Sequence, residues 1–469
     1  MRSGEKLRFW PPIFSQRLFD RQEFAGVPEI LEKAVSNAGG KVVRRNLGPD
    51  VLKVHLKQGI YYGAVFGTID VMLIGIDGNE ANIQERVGVN VWAIEMLKHL
   101  EGTRDKGQGI RESEKLNFLI YLSKPPLPDL PAETENWEYR VIGPGKFWTR
   151  WRLPLDLYLH RPRPDVFLSL SHYAPKWAPC PRVVCIMDLS FLKFGEAFKP
   201  AVLWQLTNWT RESVRNAARV ITISEFNKQE IIKNYGCDDK KISVVYPGVS
   251  EIFKTFKGPA FGYKSRALDT GEGRTLRDKK YLLFVGTLQP KKNLGRLVEA
   301  FEIVRKRFPE IELVIAGKVW GQFTSEYLKA WPLVTKARPY QTPAGIKFLG
   351  FVPDQELPGL VAGAEALIIP SLYEGFGIPA VEAMSCETPV LASNAASLPE
   401  IVGDCGILFD PYDVKSIAKA IEQLLSLKPT DRQRLIEKGK IMAKEFDWDK
   451  TTKKVLDILK LVVRNSENG

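Results

Sequence analysis

Two doubly wound α/β domains, each a parallel sheet wrapped by helices, are the fold class this sequence predicts, on three observations. From about Met72 onward short apolar runs alternate with helical patterns, the signature of βα units feeding a parallel sheet. A second such series opens at Tyr281, after a stretch from 251 to 280 that is rich in Lys, Gly, Asp and Thr and keeps neither period, so it reads as a linker with an inserted loop. At 469 residues, 44% hydrophobic and 26% charged, the chain is long enough for two large domains and has the composition of a globular protein rather than a disordered or fibrous one.

Taken in order, residues 1–71 hold one candidate helix near 27–37, with irregular apolar spacing and scattered turns. The expectation is an N-terminal extension outside the fold, disordered or preceding a true start at Met72; a helical extension is the alternative. The first domain, 72–250, opens with the run Met72-Leu73-Ile74-Gly75-Ile76-Asp77 and a helix from 89 to 100. Further strands are predicted at 117–122, 166–170, 183–187, 220–223 and 242–246. The second domain, 281–445, takes strands at 281–286, 311–316, 346–349, 366–369 and 390–392. A last helix, about 448–463 within 446–469, closes the chain.

Lysine and arginine exceed aspartate and glutamate to give a net charge of +12, so an anionic partner is expected: nucleic acid, an acidic lipid surface or a phosphorylated metabolite. The five cysteines are odd in number and without CxxC spacing, which argues against a disulfide framework or zinc site and suits a reducing cytoplasm. No apolar run approaches the roughly 18 residues of a membrane span, and no apolar h-region follows Arg2, Lys6 and Arg8.

The most informative stretch is Pro370-Ser371-Leu372-Tyr373-Glu374-Gly375-Phe376-Gly377-Ile378-Pro379-Ala380-Val381-Glu382-Ala383-Met384. A strand ending near Pro370 leads through a glycine loop into a helix with Pro379 in its first turn. Backbone N–H groups and a helix dipole at the carboxyl end of a parallel strand make an anion site, most often for phosphate. Glu374 and Glu382 beside a phosphate would repel it, so they suit sugar or ribose hydroxyls instead, and the combination points to a sugar nucleotide. By spacing alone a solvated loop glutamate and a capping glutamate explain the pair as well.

Glu374 and Glu382, with Gly375-Phe376-Gly377 between them, resemble the E-x7-E signature of retaining glycosyltransferases of the GT-B fold, the family-four group. The resemblance runs from about Met72 to the C-terminus. Supporting stretches are Phe284-Val285-Gly286-Thr287-Leu288-Gln289-Pro290-Lys291-Lys292-Asn293, Val314-Ile315-Ala316-Gly317, Leu349-Gly350-Phe351-Val352-Pro353 and Leu398-Pro399-Glu400-Ile401-Val402-Gly403. It implies two Rossmann-like domains facing across a cleft, the last helix crossing back to the first domain, and hexose transfer from a nucleoside-diphosphate sugar with retention. It further implies that Lys292 binds the donor diphosphate, Glu374 holds donor-sugar hydroxyls, Glu382 the ribose, and backbone at Phe351 and Val352 the base. Thr287 stands where many relatives carry arginine, and Lys291 is the candidate second cation. The form of the lysine loop is similar to mannosyl- and rhamnosyl-type transferases of surface polysaccharide assembly. That makes GDP-mannose the first choice of donor and a lipid-linked glycan at the inner membrane face the expected acceptor, which allows for peripheral membrane contact. Neither a further cofactor, a metal nor nucleic acid is expected.

In the first domain, Gly88 and Asn90 follow the first strand and are candidates to line the cleft, with simple turn geometry equally able to explain them. Met187 stands where the subgroup has a histidine before Asp188, so an acceptor or transition-state contact is missing or supplied by another group. Asp188 orients its loop or caps a helix. His172 and Ser224 also follow strands and are cleft candidates. The basic aromatic stretch Phe147-Trp148-Thr149-Arg150-Trp151-Arg152 could touch nucleic acid or lipid headgroups, but reads first as a core-anchoring helix with a basic outer face. Asp447-Trp448-Asp449 has metal-transferase spacing and reads as helix capping with Trp448 packed. Two other functions fit the same residues: a non-catalytic sugar-nucleotide-binding protein, and a GT-B sugar-nucleotide epimerase, whose cleft histidines are hard to find among only four in the chain.

Overall fold

The computed structural model describes residues 41–43, 53–56, 59–62, 70–86, 88–106, 114–143, 145, 147–256, 280–318 and 344–467. The predicted helix at 27–37 and most of the predicted linker lie outside these residues. The chain divides into two units, Met1–Asp70 and Val71–Gly469. In the first unit, strands β1 (Lys41–Val43), β2 (Lys53–Leu56) and β3 (Gly59–Tyr62) form an antiparallel sheet, with Val42 opposite Val54 and Val54 opposite Tyr61. No strand is predicted there from sequence, because such short runs carry little periodicity.

The second unit contains two sheets. The first comprises β4 (Asp70–Asp77), β5 (Glu114–Leu122), β6 (Trp137–Val141), β7 (Val166–Ser169), β8 (Arg182–Ile186), β9 (Arg219–Thr222) and β10 (Ile242–Val244), in the order β10-β9-β8-β7-β4-β5-β6. Its pairs β4–β7, β7–β8, β8–β9, β9–β10 and β5–β6 are parallel. The second comprises β11 (Tyr281–Val285), β12 (Glu312–Ala316), β13 (Ile346–Gly350), β14 (Ala366–Ile369), β15 (Val390–Ser393) and β16 (Ile407–Phe409), parallel throughout in the order β13-β12-β11-β14-β15-β16. β7, β12, β14 and β15 are buried along their whole length, which is why they read as unbroken apolar runs rather than alternating ones. β6 and β16 are not predicted from sequence because they are edge strands, short and only partly covered.

In both sheets the first strand lies inside, with the chain departing to one side and returning on the other. The order reverses between β4 and β7, and again between β11 and β14. Loops following those strands diverge at their carboxyl ends and leave a crevice, where open α/β sheets bind ligands. Helix α1 (Val89–Lys106) follows β4, and the final helix α2 (Trp448–Glu467) packs on it. There the ring of Trp448 meets Trp92 at 5.4 Å and His99 at 6.0 Å. A chain leaving the second sheet thus returns to the first. Asp447 Oδ1 accepts from the N–H groups of Asp449 and Lys450 at 2.9 and 3.2 Å and so caps this helix.

Candidate active site

The loop after β11 is shaped to present two lysines. Pro290–Lys292 forms a single 3-10 turn, and Asn293 then takes a left-handed φ of 56°. Asn293 can hold that conformation because its amide donates to the carbonyls of Pro370 (3.0 Å) and Pro411 (2.7 Å), which ties the loop to the end of β14. Leu372 N donates to Lys291 O at 2.7 Å, closing the two loops against each other. The topology is what brings them together: β11 and β14 flank the point where the strand order reverses.

Lys292 Nζ donates to Glu374 Oε1 at 2.6 Å, and Ser371 Oγ donates to the same oxygen at 2.6 Å. Glu374 is buried, and its backbone is held as firmly as its side chain: Ser397 Oγ donates to the carbonyls of Glu374 and Phe376 at 3.0 and 2.9 Å. Gly377 turns the chain with φ 106° into the helix Ile378–Ser385, whose N-terminus no side chain caps. Its first-turn N–H groups therefore point out of the helix end beside Glu374, a geometry suited to an anion.

Glu382 lies one turn into that helix, away from the lysine loop and toward Asp354 and Glu95. Burial first, then those two carboxylates, push its carboxyl up to about 8, so at neutral pH it holds a proton and can donate as well as accept. Thr287 Oγ1 accepts from Gln289 Nε2 at 2.8 Å. Val352 is buried in the core, whereas Phe351 is exposed, with Lys318 Nζ 5.3 Å from its ring centroid; Lys318 in turn pairs with Glu85 of the first domain.

Across the cleft, Lys291 Nζ donates to Asp188 Oδ2 at 2.7 Å and Ser190 Oγ at 3.1 Å. Burial works against both charges, but each more than offsets it for the other. With His172 adding to Lys291, Asp188 is held below the usual carboxylate range, and Asp188 with Glu374 raises Lys291. Asp188 Oδ1 also accepts from Ser190 N (3.1 Å) and Oγ (2.9 Å), starting the short helix Ser190–Lys193. Gly375 packs on the same segment: a Cβ there would stand 2.1 Å from Met187 O. Ser224 Oγ donates to Gly375 O at 2.6 Å, and its oxygen also caps the helix Glu225–Tyr235.

On the first domain's side, Asn90 Nδ2 donates to Glu80 Oε2 at 2.7 Å. Burial raises the Glu80 carboxyl, while His172 and Asn90 pull the other way. His172 Nε2 lies 2.8 Å from Asp188 O, and since a carbonyl only accepts, that nitrogen carries the proton. Gly88 has φ 54° with open space around it, the geometry of a helix entry rather than of close approach. The Met187 side chain is buried in the core, so the imidazole that reaches this region comes from β7 rather than β8.

Several participants were not singled out from sequence. Glu80 and Ser397 follow strands, as do Asn227, whose amide donates to Met187 O, and Tyr373, whose hydroxyl accepts from Leu189 N at 3.3 Å, so position at a strand's carboxyl end is the signal available. Glu400 lies in the stretch Leu398-Pro399-Glu400-Ile401-Val402-Gly403, but its role is legible only in three dimensions. Its carboxylate accepts from the N–H groups of Glu225 (2.9 Å) and Phe226 (3.1 Å) and from Tyr246 OH (2.9 Å), joining the second domain to a helix N-terminus of the first.

Two facing Rossmann-like domains with a lysine–glutamate pair at the second switch point define a GT-B protein. The family described as "Glycosyl transferases group 1" matches residues 270–442 and "Glycosyltransferase Family 4" matches residues 121–251. Matched over both domains, the chain belongs to the family-four glycosyltransferases. It is similar to the O-antigen chain mannosyltransferase B of Escherichia coli, 34% identical over 54% of this chain and 62% of the relative. It is also similar to the D-inositol 3-phosphate glycosyltransferase of Paenarthrobacter aurescens, 32% identical over 51% of this chain and 56% of the relative. The match thus spans about half to three-fifths of the length of these curated relatives. Among solved structures, sucrose-phosphate synthase from Thermosynechococcus elongatus superposes with a TM-score of 0.62 at 17% identity, covering 84% of this chain and 100% of that one. Anabaena HepE in complex with UDP and glucose superposes at 0.59 and 19%, covering 83% and 99%; both likenesses speak to fold alone.

Proposed function

We propose that the protein is a retaining hexosyltransferase of the cytoplasm that moves mannose from GDP-mannose to a hydroxyl of a glycan or lipid-linked glycan, in assembly of cell-surface polysaccharide. The observation that carries this reading is the Lys292–Glu374–Ser371 cluster, set beside an uncapped helix N-terminus at the switch point of the second sheet and facing the strand ends of the first. Mannosyltransferases among the relatives favour mannose.

In this reading a diphosphate competes with Glu374 for Lys292, whose ammonium then offsets the charge building on the leaving phosphate. Glu374, with one oxygen still held by Ser371, turns its acceptor capacity to donor-sugar hydroxyls, while Glu382 takes the ribose. Thr287, Lys291, Gly375, Phe376 and Gly377 complete the donor wall, and Phe351 and Val352 border the base. Glu80, Asn90 and His172 form the acceptor wall, beside Gly88, Asp188 and Ser224. Carboxylate, amide and imidazole are suited to neutral hydroxyls, and His172 takes the part that the resembling subgroup gives to the residue at Met187. Among the described residues no side chain is placed as a covalent nucleophile, so positioning and charge stabilisation do the work, with closure of the two domains excluding water.

The test is calorimetric binding against GDP-, UDP-, dTDP- and ADP-sugars, followed by transfer assays with the product anomer read by NMR. GDP-mannose should bind most tightly and give an α-linked product. Absence of binding to every donor by the folded protein, or an inverted product, would reject the proposal. The burial of Met187 also favours a second reading, a sugar-nucleotide-binding protein without turnover, which tight donor binding with no transfer to any acceptor would establish.

A further inference from the structure

The basic aromatic stretch of the first domain folds as one helical run, a π-turn Trp148–Arg152 continuing into an α-helix Leu153–Leu159. Its inner face is apolar: Trp148, Leu153 and Leu157 are buried in a core with Leu73, Tyr121 and Phe167. The outer face, predicted from sequence to be basic, is apolar as well. Trp151, Leu155, Tyr158 and Leu159 follow one another at helical spacing and stand 63%, 60%, 44% and 67% exposed. Trp177, itself exposed, meets Trp151 edge to face at 5.8 Å and extends the patch. A helix apolar on both faces is ordinarily enclosed, and a patch of this kind on an otherwise polar surface marks something that covers it.

The charges around the patch say what that is. Arg152 and Arg161 are exposed beside it, Arg163 holds its guanidinium 6.0 Å from the Tyr158 ring, and Lys176 stands 4.8 Å from the Trp177 ring. The run's one carboxylate, Asp156, is turned inward, where it forms an ion pair with Arg140 at 2.8 Å. An apolar stripe of tryptophan, leucine and tyrosine, flanked by cations with its acid withdrawn, is complementary to acyl chains beneath anionic headgroups.

We propose that this face, Trp151, Leu155, Tyr158 and Leu159 with its arginine and lysine flank, seats the protein on an anionic phospholipid bilayer. Among the described residues no helix is long and apolar enough to cross a membrane, and the mode here is attachment at the interface. The inference deepens the reading of a lipid-linked acceptor. Vesicle binding is measured without turnover, so either can fail while the other stands.

The experiment is flotation of the full chain with vesicles of phosphatidylcholine alone and of an equal mixture with phosphatidylglycerol, at low and high salt. The protein should float with the mixed vesicles, much less with phosphatidylcholine, and release as salt rises. The Trp151→Ser/Leu155→Ser/Leu159→Ser variant should lose retention about tenfold or more, as burial of three such side chains requires. Its unfolding midpoint and nucleotide binding should match the parent, since those side chains face outward; an Arg152→Gln/Arg161→Gln variant should lose mainly the anionic preference. Flotation with neither vesicle, equal flotation with both, or full retention of the triple variant would overturn the proposal. So would sedimentation showing that the triple substitution instead dissolves a dimer.

Discussion

A methyl group added at Gly375 tests the cross-cleft geometry at its tightest point. The φ of Gly375 is not in the left-handed region, so its backbone would accept alanine; the obstacle is space alone. The new Cβ would lie 2.1 Å from Met187 O, with Asp188 Cβ and Asn227 Nδ2 each at 3.1 Å. A carbon–oxygen contact relaxes only beyond roughly 3.2 Å, so the loop and the Met187 segment must separate by about 1 Å. Neither is free to yield locally. Met187 O accepts from the Asn227 amide, and Gly375 O accepts from Ser224 at 2.6 Å. The displacement therefore passes to Glu374 next in the chain, and opens the cleft between the proposed donor and acceptor walls. Misplacement of reacting groups by about 1 Å costs on the order of 100-fold in rate. Gly375→Ala should thus lower kcat about 100-fold, while the cores of the two domains, untouched, keep the unfolding midpoint within a few degrees. Steady-state transfer kinetics beside thermal melting read both quantities. Unchanged kcat with intact donor binding would show that the contact across the cleft is incidental to transfer, and the reasoning would fail.

Lys292→Ala should reduce kcat about 100- to 1,000-fold, the range for removing one preorganised charge-stabilising donor, and should also lower the unfolding midpoint, because the buried Glu374 carboxylate loses its cation; activity within threefold of the parent would displace Lys292 from the role given to it. Asp188→Asn leaves the Lys291 ammonium buried without its counter-ion and should cost about 2 to 4 kcal/mol in urea unfolding, which Asp188→Asn/Lys291→Met should largely restore. Because the folded carboxyl of Asp188 is held low, its stabilisation is present above its unfolded value near pH 4 and is lost as pH falls further. Glu382 has the opposite sign. Its carboxyl is raised to about 8 in the folded protein, so stability falls as pH rises from about 4.5 through 8, and Glu382→Gln, with no proton to lose, should flatten that decline. Urea midpoints on either side of pH 8 that differ between parent and variant by a constant amount would refute the placement of Glu382 among Asp354 and Glu95.

What the sequence determined by itself was local. Buried parallel strands such as β7, β12 and β14 announced themselves as apolar runs, and a strand-loop-helix with glycines at 375 and 377 marked out a candidate anion site. That Lys292 and Glu374 belong together was legible through resemblance, since both lie in loops that follow recognisable strands. The tertiary structure decided everything that depends on which loops become neighbours. Lys291 and Asp188 are 103 positions apart, Ser224 and Gly375 151, and Glu225 and Glu400 175, and no periodicity encodes such pairings. Nor could spacing say which side of the helix at 148–159 meets solvent, because that run is apolar on both faces; only the placement of Leu73, Tyr121 and Phe167 against one of them leaves Trp151, Leu155 and Leu159 outside. Helical and strand periods record burial against an immediate layer, whereas the cleft and its exposed flank arise when two complete sheets and a returning final helix settle against one another.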